Sequence, residues 1–392
     1  MFRIEGVEYE KSEEEEPVEI EEEAMSMSMA GGHREPRRVI ATESVNQSNH
    51  SSGEVNINSQ NQSKPETPKT SGKNKSNNAS NNFKFSAESF FTFKQTKVTL
   101  DYTIGKKLGE GSYGEVRLVI HKNSGLSRAM KSIKKENLPK EEQTSLINEV
   151  NLLKSTDHAN ILKIFDLYED KRNYYIITEY CSGGELYDRI KKLHTFTEKQ
   201  AALLMKQILS SVNYLHSNGI VHRDLKAENI LFESTDSNSG IKIIDFGISR
   251  KILKGQMLSE RIGTPFYIAP EVLTKSYNEK CDIWSCGVIL YILLCGYPPF
   301  NGADDKKIFK AISAGNVKFY RTFFIKPAED WDDISTEAKN LIRRMLTVDP
   351  LKRISASEAL NHDWIVSKHK SVPLSASVMK NLESFQVTCA SE

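Results

Sequence analysis
One stretch near the middle of the chain restricts its fold more than any other. Residues 220–230 read Ile-Val-His-Arg-Asp-Leu-Lys-Ala-Glu-Asn-Ile, and residues 241–247 read Ile-Lys-Ile-Ile-Asp-Phe-Gly. Asp224, Lys226, Asn229 and Asp245 are thereby set between apolar runs (220–221, 230–231, 241–244) short enough to be buried strands. Polar groups on the ends of such strands gather in one place, and their chemistry can be read. The Asp245 carboxylate and the Asn229 amide oxygen are hard ligands, of the kind Mg²⁺ takes when phosphates and water complete its shell. Asp224 suits the acceptance of a proton from an attacking hydroxyl, and Lys226 the neutralisation of charge on a moving phosphoryl group. Each residue alone would be an ordinary loop residue at a strand end; the four at this spacing are a catalytic cluster.

With His222, Arg223 and Leu225 around Asp224, and Phe246 and Gly247 after Asp245, the stretch resembles the catalytic loop and metal-binding motif of eukaryotic protein kinases. The resemblance implies an α+β fold of two lobes, a small β-rich N-lobe (102–180) and a larger helical C-lobe (181–364), with ATP and Mg²⁺ as cofactors. A second stretch supports it. Leu108, Gly109, Glu110 and Gly111 run on through Ser112 and Tyr113 to Gly114. The residues after Gly114 alternate as a strand (Val116, Leu118, Ile120), whereas a dinucleotide site needs a helix start there. This reads as two strands joined by a glycine loop, a flap closing over a triphosphate with its backbone N–H groups. ATP is then expected under Gly109, Gly111 and Gly114. Ala129 and Lys131 lie on the next strand, and a lysine beside such a flap reaches phosphates. Glu149 sits in a helical stretch, 141–154, whose apolar face is Leu146, Val150 and Leu153.

By resemblance, Lys131 and Glu149 are the ion pair of the active state, and Glu179 and Cys181 bind adenine through their backbones. Thr178 would guard the pocket behind the adenine. Glu185 matches the residue near the ribose that reads a basic substrate residue; a plain N-terminal helix carboxylate is the competing role. Residues 245–271 are expected to be the activation loop, with Thr264 bonding the catalytic aspartate and Glu271 pairing with Arg353. Arg223 could receive a phosphate on Ser259, but Glu260 is preferred as a constitutive charge. Asp282 would brace the catalytic loop from the start of an apolar helix through Leu294, the buried axis of the C-lobe.

Outside 102–364 the sequence changes character. Residues 1–98 are expected to be a disordered low-complexity tail. Its acidic run 13–23 repels itself, and its Ser/Asn/Gln-rich run 44–82 has too little apolar surface to order. Thr67 before Pro68 is a candidate phosphorylation site, and Phe2 in place of glycine excludes N-myristoylation. A formal net charge of +1 argues against nonspecific nucleic-acid binding. Five cysteines without metal-ligand spacing, no secretory leader and no apolar run long enough for a bilayer argue for a reducing compartment. The cytoplasm is expected, with the nucleus left open, and a monomer without a membrane anchor.

Residues 182–189 and 294–302 favour the calcium- or calmodulin-dependent kinases, closest to the calcium-dependent ones. The tail 365–392 resembles the start of the junction helix that blocks the substrate cleft in that group. Leu374, Val378, Leu382 and Phe385 fall on one expected helical stripe. No calcium-binding EF-hand loop occurs in the chain, so a calcium lobe would be absent or supplied by other sequence or by a partner such as calmodulin. The expected substrates are Ser/Thr proteins, basic at the third residue before the acceptor. Ala227, where most relatives have proline, also occurs in relatives of the AMP-activated kinases, which remain a rival, as does a nucleotide-binding scaffold without turnover.

Overall fold
The computed structural model describes residues 93–390 apart from 112, 113, 138, 194, 320–330, 368 and 370. The expectations placed on residues 1–92, including Thr67, and on Ser112 and Tyr113 lie outside the described residues. Five strands make one antiparallel sheet: β1 (Tyr102–Gly111), β2 (Gly114–His121), β3 (Ser127–Lys134), β4 (Ile164–Glu169) and β5 (Asn173–Glu179), in the order β1-β2-β3-β5-β4. Between β3 and β4 runs α1 (Lys140–Lys154), which buries the expected stripe of Leu146, Val150 and Leu153. This is the β-rich lobe.

The helical lobe starts after the strand β5. Its elements are α2 (Leu186–Lys191), α3 (Glu198–Ser217), the short strands β6 (Ile220–Val221), β7 (Ile230–Phe232), β8 (Ile241–Ile243) and β9 (Arg250–Lys251), and then α4 (Pro270–Leu273) and α5 (Lys280–Cys295). Five more helices follow: α6 (Asp305–Ala314), α7 (Thr336–Met345), α8 (Ala356–Leu360), α9 (Asp363–Val366) and α10 (Ser377–Ala390). Helix α3 starts at a reciprocal cap, in which Thr197 accepts from the Gln200 N–H while the Gln200 side chain accepts from the Thr197 N–H. Every residue of α5 from Cys281 to Cys295 is buried, as its lack of a polar face requires. It ends at Gly296, whose φ of +84° suits a residue without a side chain. Among the described residues no helix is long and apolar enough to cross a membrane.

Two expectations about the ends of the domain need correction. Residues 93–98, expected to belong to the disordered tail, are instead built onto the sheet. Lys94 bridges β4 in parallel: its N–H donates to the Leu167 carbonyl (2.8 Å) and its carbonyl accepts from Glu169 (3.0 Å). The Lys94 ammonium pairs with Asp166 at 2.7 Å, Phe93 packs on the Tyr174 ring, and Val98 is buried. The stripe from Leu374 to Phe385 is also shorter than expected, because Leu374 precedes α10. Its N–H donates to the Phe196 carbonyl at 2.7 Å, an extended pairing that a helical turn does not make. Val378, Leu382 and Phe385 do lie buried along α10.

Candidate active site
The short strands β6 and β7 carry the catalytic loop between them, and α5 carries its foundation. The Asp282 carboxylate, almost wholly buried, accepts from the backbone N–H groups of His222 (2.9 Å) and Arg223 (2.8 Å) and lies 2.8 Å from Nε2 of His216. Burial pushes this carboxyl up, but the His216 and His222 donors outweigh it and hold it below the ordinary range. Arg223 (φ +72°) and Asp245 (φ +63°) both hold left-handed backbone, which costs each about 1 kcal/mol or more without a glycine. At Arg223 that cost is borne by the bonds to Asp282. A loop strained at its functional residues is thus clamped from the core.

Above that clamp the polar groups converge. The Thr264 hydroxyl donates to Asp224 Oδ1 at 2.8 Å, and Lys226 Nζ lies 2.9 Å from Thr264 Oγ1 and 3.0 Å from Asp224 Oδ2. Asn229 Nδ2 donates to the Asp224 carbonyl (2.8 Å) and to its Oδ2 (3.2 Å), so Oδ1 is the amide atom left to act as a ligand. The Gly247 N–H donates to Asp245 Oδ1 at 3.2 Å, and the Phe246 ring packs against His222 at 4.8 Å between centroids. Carboxylate, ammonium and hydroxyl fix one another's geometry here.

The glycine-rich segment folds as a hairpin, with Gly111 opposite Gly114 in the β1–β2 register. Here the expected glycine loop needs correction. Gly109 is not a loop residue: it lies inside β1 opposite Val116, with Glu110 opposite Glu115, because the antiparallel ladder runs on as far as Gly111. The register slips between Lys107 and Gly109, so an irregularity of the strand, not its turn, falls at this glycine. Gly109, Glu110, Gly111 and Gly114 do not line the cavity beneath the sheet, and neither do Leu108 and Glu185. Gly114 has a further reason to be glycine, because a Cβ there would lie 1.7 Å from the Ser132 carbonyl oxygen.

Leu108 of β1, Val116 of β2 and Ala129 of β3 form a small apolar cluster. Lys131 and Glu149 are both buried. Burial pushes the Lys131 ammonium down while the Glu149 and Asp245 charges pull it up, and burial pushes the Glu149 carboxyl up against the pull of Lys131. Val116, Ala129, Lys131, Leu162, Thr178, Glu179, Tyr180, Cys181, Leu231 and Ile244 line a half-open, largely apolar pocket under the sheet. Burial, the largest influence, pushes the Cys181 thiol up to about 12, so it is not a nucleophile at neutral pH. Glu185 stands at the N-cap of α2 without capping it through its side chain.

The activation segment is held by charge. Arg223 pairs with Glu260 through NH1, donates through Nε to the Ile248 carbonyl, and lies 3.3 Å from the Tyr277 hydroxyl. Arg250 reaches the other Glu260 oxygen at 3.1 Å. The hydrogen bond from Arg223 leads in holding the Glu260 carboxyl below its usual range. Glu260, the preferred of the two expected sources of charge, is in contact with Arg223. Farther along, Glu271 receives both arms of the buried Arg353 guanidinium, the NH2–Oε2 contact at 2.8 Å.

Helix α10 lies beside this segment. The Phe385 ring meets Phe266 edge-on at 5.4 Å, and Phe266 belongs to the turn directly after Thr264. Asn381 Nδ2 donates to the Cys295 carbonyl (3.0 Å) and Gln386 Nε2 to Asp188 Oδ1 (3.0 Å). Sequence reasoning did not find Leu162, Leu231 and Ile244 as cavity walls, nor Lys242, which pairs with Glu179 at 2.7 Å. Only an inward-facing lysine between Ile241 and Ile243 could have signalled the last.

A clamped Asp224 with its lysine and threonine, together with an apolar pocket under the sheet and a glycine hairpin, is the arrangement of one class of enzyme. Residues 102–365 match the protein kinase domain family, and the chain belongs to that family. It is 43% identical over 319 residues to Calcium-dependent protein kinase 4 of Plasmodium berghei (strain Anka), covering 79% of this chain and 59% of that protein. With Calcium-dependent protein kinase 4 of Plasmodium falciparum (isolate 3D7) it shares 45% over 290 residues, 74% of this chain and 54% of the relative. With Calcium-dependent protein kinase 3 of Plasmodium yoelii yoelii the identity is 40% over 315 residues, 78% and 56%. The chain spans little more than half the length of these curated relatives.

Proposed function
We propose that this chain transfers the γ-phosphoryl group of ATP to Ser/Thr hydroxyls of proteins. The observation that carries the reading is the Asp224–Lys226–Thr264 cluster, whose three groups lie within 3.0 Å of one another. Asp224 takes up the hydroxyl proton as the oxygen attacks, and Lys226 offsets the charge spreading over the transferred group. In this reading adenine lies in the pocket against Glu179 and Cys181, the glycine hairpin covers the phosphates, and Lys131 holds them. Asp245 and Asn229 Oδ1 offer two hard oxygens, which fits Mg²⁺ bound largely through phosphates and water. When bound, that ion neutralises phosphate charge. Positioning and charge neutralisation then supply most of the rate.

The names of the relatives support a role in calcium-linked signalling, and α10 supports restraint of the substrate cleft. Phe385 packs on Phe266, two residues beyond Thr264, which supports a restraint close to the catalytic cluster. The test is phosphate transfer to a serine peptide carrying arginine three residues before the acceptor, run with EGTA, with calcium, and with calcium plus calmodulin. Activity only in the last condition supports restraint relieved by a partner; equal activity in all three removes calcium from the reading. Asp224→Asn is expected to lower transfer by about 10³-fold while ATP–Mg²⁺ still raises the melting temperature. Equal turnover by wild type and variant would overturn the assignment of Asp224.

A further inference from the structure
The hinge between β5 and α2 contains a charged contact that no step of phosphoryl transfer uses. The carboxylate of Glu179, the last residue of β5, reaches into both lobes. Its Oε1 accepts from the Lys163 N–H (3.1 Å) at the head of β4, and its Oε2 pairs with Lys242 Nζ (2.7 Å) on β8. Lys242 is buried, its side chain 10% exposed, and Glu233 at 3.2 Å is its second, weaker partner. The strand β8 is itself fastened to the connection leading into β4. The Ile243 N–H donates to the Asn160 carbonyl (2.8 Å), and the Ile243 carbonyl accepts from Leu162 (3.0 Å). Two residues beyond Ile243 stands Asp245. One ammonium therefore links the residue at the adenine end of the cavity to the strand that presents the residue at its phosphate end.

Surface ion pairs add little, but a pair that is mostly desolvated and completed by further hydrogen bonds fixes geometry. Burial opposes the Lys242 charge, and the Glu179 contact outweighs it, so the ammonium is kept at neutral pH.

We propose that Lys242 is a positioning residue that latches the hinge through Glu179, setting how tightly nucleotide is held rather than how fast phosphate moves. This rests on the kinase reading above. Without the ammonium, Glu179 Oε2 loses its buried partner and turns toward water, and the backbone beside the adenine loses its fixed distance from β8. Adenine affinity falls, while Asp224, Lys226 and Thr264 keep the contacts that govern the chemical step.

The experiment measures KM for ATP and kcat at saturating peptide, together with ADP–Mg²⁺ affinity by thermal shift, on the full chain and on Lys242→Met, Lys242→Arg and Glu233→Gln. Lys242→Met is expected to raise KM for ATP and weaken ADP by about tenfold, with kcat changed by about twofold or less. Lys242→Arg should recover most of the affinity, and Glu233→Gln should leave it unchanged. If Lys242→Met does not fold, Lys242→Gln is read by the same criterion. An unchanged KM, or a fall in kcat without a change in KM, overturns the latch. A wild type that binds ADP but transfers no phosphate overturns the kinase reading instead, and the ADP series still decides the latch.

Discussion
Replacing Glu260 by glutamine tests whether the activation segment is set by built-in charge. Arg223, its partner, has a side chain only 4% exposed, whereas Glu260 is 47% exposed. Removing one member of a fully buried ion pair costs about 3–5 kcal/mol. The half-exposed carboxylate reduces that figure, and so do the Ile248 carbonyl and the Tyr277 hydroxyl that Arg223 keeps. About 1–2 kcal/mol remains, a factor of about 5–30 in the population of the ordered segment. The expected result is a fall of that size in kcat/KM for a peptide substrate, with ATP binding by thermal shift little changed. Ser259→Ala and phosphatase treatment should have no effect. The pH dependence follows from the depressed Glu260 carboxyl: its contribution is complete above the ordinary value of 4.5 and is lost only as pH falls through the lower native value. The deficit of Glu260→Gln should therefore be constant across neutral pH. A loss smaller than about twofold, or activity abolished by phosphatase, would refute the reasoning.

Other outcomes follow from the same structure. Arg353→Met strands the buried Glu271 carboxylate, at a cost of about 3–5 kcal/mol, and should lower the melting temperature by several degrees in calorimetry; a wild-type melting curve would contradict that. Gly296→Ala sets a Cβ 2.3 Å from the Val378 carbonyl on left-handed backbone, so α10 should leave its seat. Faster proteolysis around residues 367–376 and a rise in peptide phosphorylation would be seen, and an unchanged cleavage pattern would count against the seat.

What the sequence made legible was chemistry concentrated in short stretches. The order from Asp224 to Asp245 sets polar groups on the ends of short buried strands, and the structure supplies those strands as β6, β7 and β8. Asp282 and Arg353 could be anticipated because the resemblance names what each holds, and Glu260 because it is a fixed charge on the segment expected near Arg223. Contacts between distant and locally unremarkable residues were not legible. Gly109 reads as part of a turn by its composition, and only the register with β2 makes it a strand residue. Lys94 opens a short polar stretch after Phe93, and only β4, far along the chain, gives it a ladder to join. Leu374 fits a helical spacing on paper, but Pro373 bridges Thr197 and draws it into an extended pairing. Lys242 gave no sign of its role because both its partners lie in other elements.

The bridge at Lys94 also bears on where this fold can be cut. The family match begins at residue 102, but the β4 edge is covered by residues that precede it. A fragment beginning at 102 would present the Leu167 carbonyl and the Glu169 N–H unpaired, and would take from Asp166 the ammonium at 2.7 Å. A bare strand edge is a template for other chains. The smallest fragment that stays dispersed in solution therefore begins upstream of the recognisable domain, and a shorter one should aggregate through β4 although every catalytic residue is present.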